Sequence, residues 1–392
     1  MAEGPRVGLV SLGVGLAAAG VGAVVGSAVE RVAMGRPLVP GRHRGRVEAQ
    51  VDEFGIAYGS LRGRVEQVRA SDGTLLHVEV DEPAEASPQA PTLVFSHGYA
   101  LTLDSWHYQR MALRGRYRMV FWDQRGHGRS ERGPRASATI DQVGEDLAAV
   151  LEAVAPQGPL VLVGHSMGGM TVMSLAAQRP DLVRERVLGA ALVSTSAGGL
   201  GKADFGLPGL GPLVHRVAPA TVSALSLTPG LVQRGRRLGS DLESVLVRRW
   251  SYAGPVSPGL LRFTAAMIAA TDIRVIGDFL PAFGSHDKRQ GLEALSGAEL
   301  LVLVGDGDLL TPTSHSEEIA ALLPGAEHVV VRHAGHLVML EHPGIVTAHL
   351  EDVLRRATSR GRSRAGRAVR ARRPVTRTVT AVRRRHRREG VA

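Results

Sequence analysis

Cysteine is missing from all 392 residues of the chain. That excludes disulfides, thiol nucleophiles and cysteine-ligated metal outright, though it does not fix a redox compartment. No His-Glu-x-x-His run or comparable ligand cluster occurs, so no metal is implied and no cofactor is expected. No internal repeat is evident. Two further absences are local. Val7 to Val29 holds no charged residue, and Arg355 to Ala392 holds a single acid, Glu389, beside 15 arginines.

The uncharged segment is 23 residues long. As a helix it would reach about 35 Å, enough to cross a hydrocarbon core of about 30 Å. Ala18, Gly22 and Gly26 recur at every fourth place, a spacing that lets a second helix approach closely. Arg6 precedes the segment, and Arg31, Arg36, Arg42, Arg44 and Arg46 follow it. This asymmetry predicts a transmembrane anchor over 7–29 with the body of the protein in the cytoplasm. The alternative is a secretory signal that is cleaved, against which stand the length and the thin basic start. Residues 34–63 read as a linker of mixed charge.

The basic tail changes the meaning of the net charge. The whole chain carries +10, the residues from Arg355 onward carry +14, and the remainder is therefore mildly acidic at −4. With almost no aromatics and few large apolar side chains, residues 359–392 cannot bury a core and are expected to be disordered. Anionic lipid head groups would suit both this tail and the anchor. Nucleic acid, bound without sequence preference, is the less favoured partner.

What is present between these ends has a regular pattern. Arg64–Arg69 and Leu75–Val80 alternate apolar and polar about Ser71-Asp72-Gly73, which predicts a hairpin. Buried strands are predicted at Thr92–Phe95, Tyr117–Trp122, Leu160–Val163, Val187–Val193, Leu300–Val304 and Val329–Val331. Helices are predicted at Ile140–Val154, where Val143, Leu147, Val150, Leu151 and Val154 share a face, and at Ile345–Arg356. Strand–helix alternation implies a mostly parallel central sheet with helices on both faces, and a site beyond the carboxyl ends of its strands. The alternation stops across 199–298. Leu260, Thr264, Met267 and Ile268 fall on one helical face there, so this stretch reads as a helical cap inserted over the sheet.

The most informative stretch is Leu160-Val161-Leu162-Val163-Gly164-His165-Ser166-Met167-Gly168-Gly169. It reads as strand, sharp turn and helix, with a serine at the apex and glycines two residues to either side. A lone Gly-x-Ser-x-Gly is weak in a chain with 48 glycines. Four distant stretches strengthen it: His97-Gly98-Tyr99, Asp123-Gln124-Arg125-Gly126-His127-Gly128, Gly305-x-x-Asp308 and Ala334-Gly335-His336.

Taken in this order, over about Arg64 to Thr358, these motifs resemble the α/β-hydrolase family. The resemblance implies an α/β-hydrolase fold, with the domain at 64–358 and the cap at 199–298, and a serine hydrolase of the carboxylic-ester class. Ser166 would be the nucleophile, His336 its base and Asp308 the orienting acid, with Asp306, His333 and His342 as rivals. The backbone amides of Tyr99 and Met167 would meet the oxyanion. His97, Gly98, Gly164 and Gly168 would support the site. A serine at position 166 disfavours epoxide hydrolases and haloalkane dehalogenases, which carry an aspartate there. The Gly-His-Ser-Met-Gly-Gly elbow is similar to those of monoacylglycerol lipases, lysophospholipases and general esterases, so the expected partner is a small ester or lipid ester. Asp123-Gln124-Arg125-Gly126 resembles proline iminopeptidases, and cofactor-free haloperoxidase-like relatives share the triad. A membrane-tethered binding module without turnover is the non-enzymatic alternative.

Overall fold

The computed structural model describes residues 50–85, 87, 89–200, 247–363 and 375–380. The expected anchor at 7–29 and residues 201–246 of the expected cap lie outside them. Among the described residues, no helix is long and apolar enough to cross a membrane.

The hairpin forms as β1 (Arg64–Arg69) and β2 (Leu75–Asp81), turning on Gly73 at φ 89°. β3 (Thr92–Ser96) leads through a short 3-10 turn into α1 (His107–Leu113) and then β4 (Met119–Trp122). α2 (Ile140–Val154) starts at Thr139, whose hydroxyl accepts the Gln142 N–H at 3.1 Å and satisfies a donor that the first turn leaves free. β5 (Leu160–His165), α3 (Met167–Gln178), α4 (Pro180–Arg186) and β6 (Val187–Val193) follow. Among the described residues of the cap are α5 (Pro258–Ala270) and α6 (Ile273–Ser285). The chain then returns to β7 (Glu299–Gly305), α7 (Thr313–Leu322), β8 (Glu327–Val331), α8 (Val338–Glu341), α9 (Pro343–Ser363) and β9 (Val375–Val379).

Among the described residues the strands form one nine-stranded sheet in the order β1-β2-β4-β3-β5-β6-β7-β8-β9. β1 and β2 pair antiparallel, as do β2 and β4; every later pair is parallel. Alternate residues of each strand point to opposite faces, so two apolar layers form. Leu160 and Leu162 meet Leu147 and Leu151 of α2 and Leu175 of α3 in one cluster. Val161 and Val163 join Leu113 of α1 and Val346, Leu350 and Leu354 of α9 in the other. The strand order reverses about β3, between β4 and β5, and a crevice opens at the carboxyl ends on either side of such a reversal.

Three boundaries differ from the sequence reading. Residues 50–63, expected within the linker, are folded against the domain. Buried Asp52 accepts N–H groups from Phe54 and Ile56 and bonds the His107 ring at 2.9 Å, while Tyr58 stacks on Phe263 of α5 at 4.9 Å. The last part of the expected cap belongs to the sheet layer, because Leu292 and Leu295 enter the core beside α3 and Gly291 lies against Ala177. The tail expected to be disordered over 359–392 is structured in part. α9 runs to Ser363, and β9 pairs with β8 in parallel register from Glu327↔Val375 to Val331↔Val379. Val-Thr-Arg-Thr-Val is rich in β-branched residues and suits an edge strand. Arg377 also faces Glu327 at 3.8 Å.

Candidate active site

β5 ends in the turn that raises Ser166. Its backbone stands at φ 52°, ψ −118°, uphill for a residue with a side chain. Neighbouring backbone holds it there. The Ser166 N–H donates to the Val193 carbonyl at 2.9 Å, and the Ser166 carbonyl accepts from Gly169 N–H at 2.9 Å and from Thr195 Oγ1 at 2.7 Å. A methyl on Gly164 would run into the Gly168 backbone, and one on Gly168 into the Ser96 carbonyl. The expected support by these two glycines is thus a matter of space: elbow, helix and β3 touch at the backbone.

The fold brings Asp308 and His336 together. The Asp308 carboxylate is buried and accepts the His336 Nδ1–H at 2.9 and 3.0 Å. It also accepts the Leu310 and Thr311 N–H groups, each at 2.9 Å, and the Thr311 hydroxyl at 2.9 Å. Burial opposes its charge, but the His336 ring and the Thr311 donors outweigh burial and hold its pKa below the ordinary carboxylate value. The rivals point elsewhere. Asp306 accepts the His333 N–H at 2.7 Å, His333 is exposed, and the His342 ring bonds the His333 carbonyl at 3.1 Å.

His165 joins this pair to the elbow. Its Nε2 donates to the His336 carbonyl at 3.0 Å and the two rings lie 4.8 Å apart. Burial, followed by the neighbouring His336, lowers the His165 pKa to about 3, so this ring is neutral. No hydrogen bond joins the Ser166 hydroxyl to His336 among the described residues. Such links are often long before substrate binds. The His336 loop is further held by Glu341, which accepts the Gly335 N–H at 2.6 Å and the Gly254 N–H at 2.5 Å.

Beyond β3, Gly98 packs so closely that an added Cβ would lie 2.6 Å from His165 Nδ1 and 3.2 Å from Ser166 Cβ. Both ring nitrogens of the buried His97 are hydrogen-bonded. Its Nδ1–H donates to the Gly98 carbonyl at 2.7 Å, and its Nε2 accepts the Gln124 N–H at 2.9 Å. The Tyr99 and Met167 N–H groups donate to no acceptor among the described residues. Met167 opens α3, where the first turn has no intrahelical acceptors. The Asp123 loop is structural too: its buried carboxylate accepts the Leu103 and Arg129 N–H groups at 2.8 and 3.0 Å. His127 lies buried behind the loop, its pKa lowered by burial to about 4.

Residues 91–343 match the α/β-hydrolase fold family. The chain belongs to that family. Among curated relatives of this α/β hydrolase is the dihydrolipoyllysine-residue acetyltransferase component of the acetoin cleaving system of Cupriavidus necator, 29% identical over 304 residues, or 75% of this chain and 72% of the relative. The sn-1-specific diacylglycerol lipase of Mus musculus is 28% identical over 257 residues, 64% of this chain and 77% of the lipase. A non-heme chloroperoxidase of Streptomyces lividans is 27% identical over 72% of this chain and 97% of its own length. The fold is also that of a thermophilic esterase from Thermogutta terrifontis, with a TM-score of 0.60, 24% identity, and coverage of 76% of this chain and all of the esterase.

Sequence reasoning had passed over Thr311, Glu341 and the bond from His165 to His336. Thr311 stands three residues after Asp308, an offset at which a carboxylate can cap its own turn. Nothing in the spacing of Glu341 pointed to the His336 loop.

Proposed function

We propose that this α/β hydrolase is a serine hydrolase that cleaves a carboxylic ester through an acyl-enzyme on Ser166. His336 takes the serine proton and returns it to the leaving alcohol, Asp308 holds the ring in the Nδ1–H tautomer, and the Tyr99 and Met167 amides receive the oxyanion. Water deprotonated by His336 then releases the acid. The observation that carries this reading is the buried Asp308 carboxylate on His336 Nδ1, at 2.9 Å, in a loop bonded to the residue before the strained serine. Within the ester class a lipophilic ester is favoured, because a diacylglycerol lipase is among the relatives and an uncharged segment precedes the domain. The chloroperoxidase relative supports a second, cofactor-free haloperoxidase-like reading. Nothing in the Asp123 loop favours a peptidase, since its carboxylate is spent on backbone N–H groups.

A series of p-nitrophenyl esters of rising chain length, run beside proline anilide, tests the class. Ester turnover that disappears in Ser166→Ala is expected. Turnover of the anilide alone would replace the reading with a peptidase, and activity retained by Ser166→Ala would end it. We further propose that residues 7–29 anchor the domain on the cytoplasmic side, where anionic lipids attract the arginines of the tail. A cysteine placed at Ser71 should resist an impermeant thiol reagent on intact cells; its labelling would refute that topology.

A further inference from the structure

The oxyanion loop has a link that the acyl-transfer chemistry does not require. Only the backbone N–H of Tyr99 is needed there, yet its hydroxyl donates to the Ile276 carbonyl of α6 at 2.6 Å. Its ring packs edge-on against Phe283 of the same helix, with centroids 4.9 Å apart, and against His127 at 6.0 Å. The helix is close here for two further reasons. A Cβ on Gly126 would press on Val275, and Arg132 pairs with Asp278 through Nε at 2.8 Å. Pro281 lies inside α6 and cannot donate to Gly277, so the hydrogen-bond ladder is interrupted one residue beyond the carbonyl that Tyr99 uses.

The residue after Tyr99 is under strain. Ala100 is buried at φ 57°, a left-handed conformation that costs any residue with a Cβ. Such a turn persists only where its surroundings hold it. We propose that the Tyr99 side chain is a strut from cap helix α6 that holds this strained turn, and with it the Tyr99 N–H, in register with Ser166. Tyr99 is then an oxyanion donor through its backbone and a positioning residue through its hydroxyl, and the seating of α6 on the sheet is felt at the oxyanion. This inference rests on the proposed reading of Ser166 and Tyr99.

Tyr99→Phe keeps both the N–H and the ring and removes only the strut. The test compares it with the wild type in the rate of Ser166 phosphonylation by a fluorophosphonate, and in kcat and KM for p-nitrophenyl butanoate. Both rates are expected to fall about tenfold, the upper end for one lost hydrogen bond, with KM changed less than about twofold. Adding Ala100→Gly lets the loop keep its left-handed turn without penalty and should restore most of the loss. An unchanged phosphonylation rate with only a lower melting temperature overturns the strut. So does a loss that Ala100→Gly leaves unrepaired, because the fault then lies in the cap as a whole. A wild type that is not phosphonylated removes the nucleophile reading and the strut together, which separates the two failures.

Discussion

At the amino ends of the strands the described chain turns left-handed on glycine alone: Gly115 ahead of β4, Gly158 ahead of β5 and Gly325 ahead of β8. Gly115 and Gly158 have open space around them. At the carboxyl ends glycines turn this way too, Gly126 and Gly128 after β4 and Gly199 after β6, but there residues with side chains also adopt the same backbone: Ala100 after β3, Ser166 after β5, Ser194 after β6 and His333 after β8. Three of these four are buried or half-buried. The amino end uses the residue that makes the turn cheaply, whereas the carboxyl end bears strain and pins it with hydrogen bonds. Strain of this kind gathers where geometry serves chemistry.

If the carboxyl end is the working end, its side chains should matter out of proportion to their share of stability. Asp308→Asn keeps the shape but withdraws the charge and allows the wrong His336 tautomer, so kcat should fall about 10⁴-fold. The urea midpoint should move far less than the activity. A variant with near-normal kcat would show that the pair is structural only.

The second expectation concerns the neutral imidazoles buried behind the site. Burial lowers His127 and His286 to about 4 and His165 to about 3. Their unfolded values lie near 6.5. Between about pH 6.5 and 4 the unfolded chain therefore binds more protons at these sites, and stability falls as the pH falls. Asp123 opposes this, since burial raises it to about 6 and the folded state protonates first. Burial also lowers His97, His315 and His328 and raises Asp146. The rings outnumber the carboxyls, so the net is a loss, each ring not offset by a carboxyl contributing about 1.4 kcal/mol per pH unit in that window. Urea titrations at pH 7 and pH 5 measure it, and equal stability at the two would refute it.

The smallest effect is also the most specific to the contrast between the two ends. Ser166→Gly should abolish ester turnover and raise stability by about 1 kcal/mol, because glycine bears the positive φ without strain. Gly158→Ala should do the reverse, losing about 1 kcal/mol with turnover intact. Stability shifts of the same sign in both variants would dissolve the distinction.

Much of this was legible in the sequence where one physical cause acted alone. Val187–Val193 and Ile140–Val154 appear with the bounds read from their apolar patterns, since burial on two faces or on one stripe leaves a plain periodicity. Ser166, Asp308 and His336 stand out in the sequence because each follows a predicted strand with glycine nearby. The tail misled for the opposite reason. Its composition is set by 15 arginines, and average charge conceals that Val375–Val379 can pair with the exposed edge of β8. The folded state of 50–63 rests on remote contacts, the buried Asp52–His107 bond across 55 positions and the stacking of Tyr58 on Phe263, for which no local pattern exists. The Tyr99–Ile276 link is equally remote, 177 positions apart.

The most direct trial of the central assignment is to treat the purified protein with a fluorophosphonate and map the adduct by peptide mass spectrometry, in the wild type and in His336→Gln. One phosphonyl group on Ser166 of the wild type, with little or none in the variant, is the predicted result. An unmodified Ser166, or equal modification of both proteins, would contradict a serine activated by that histidine.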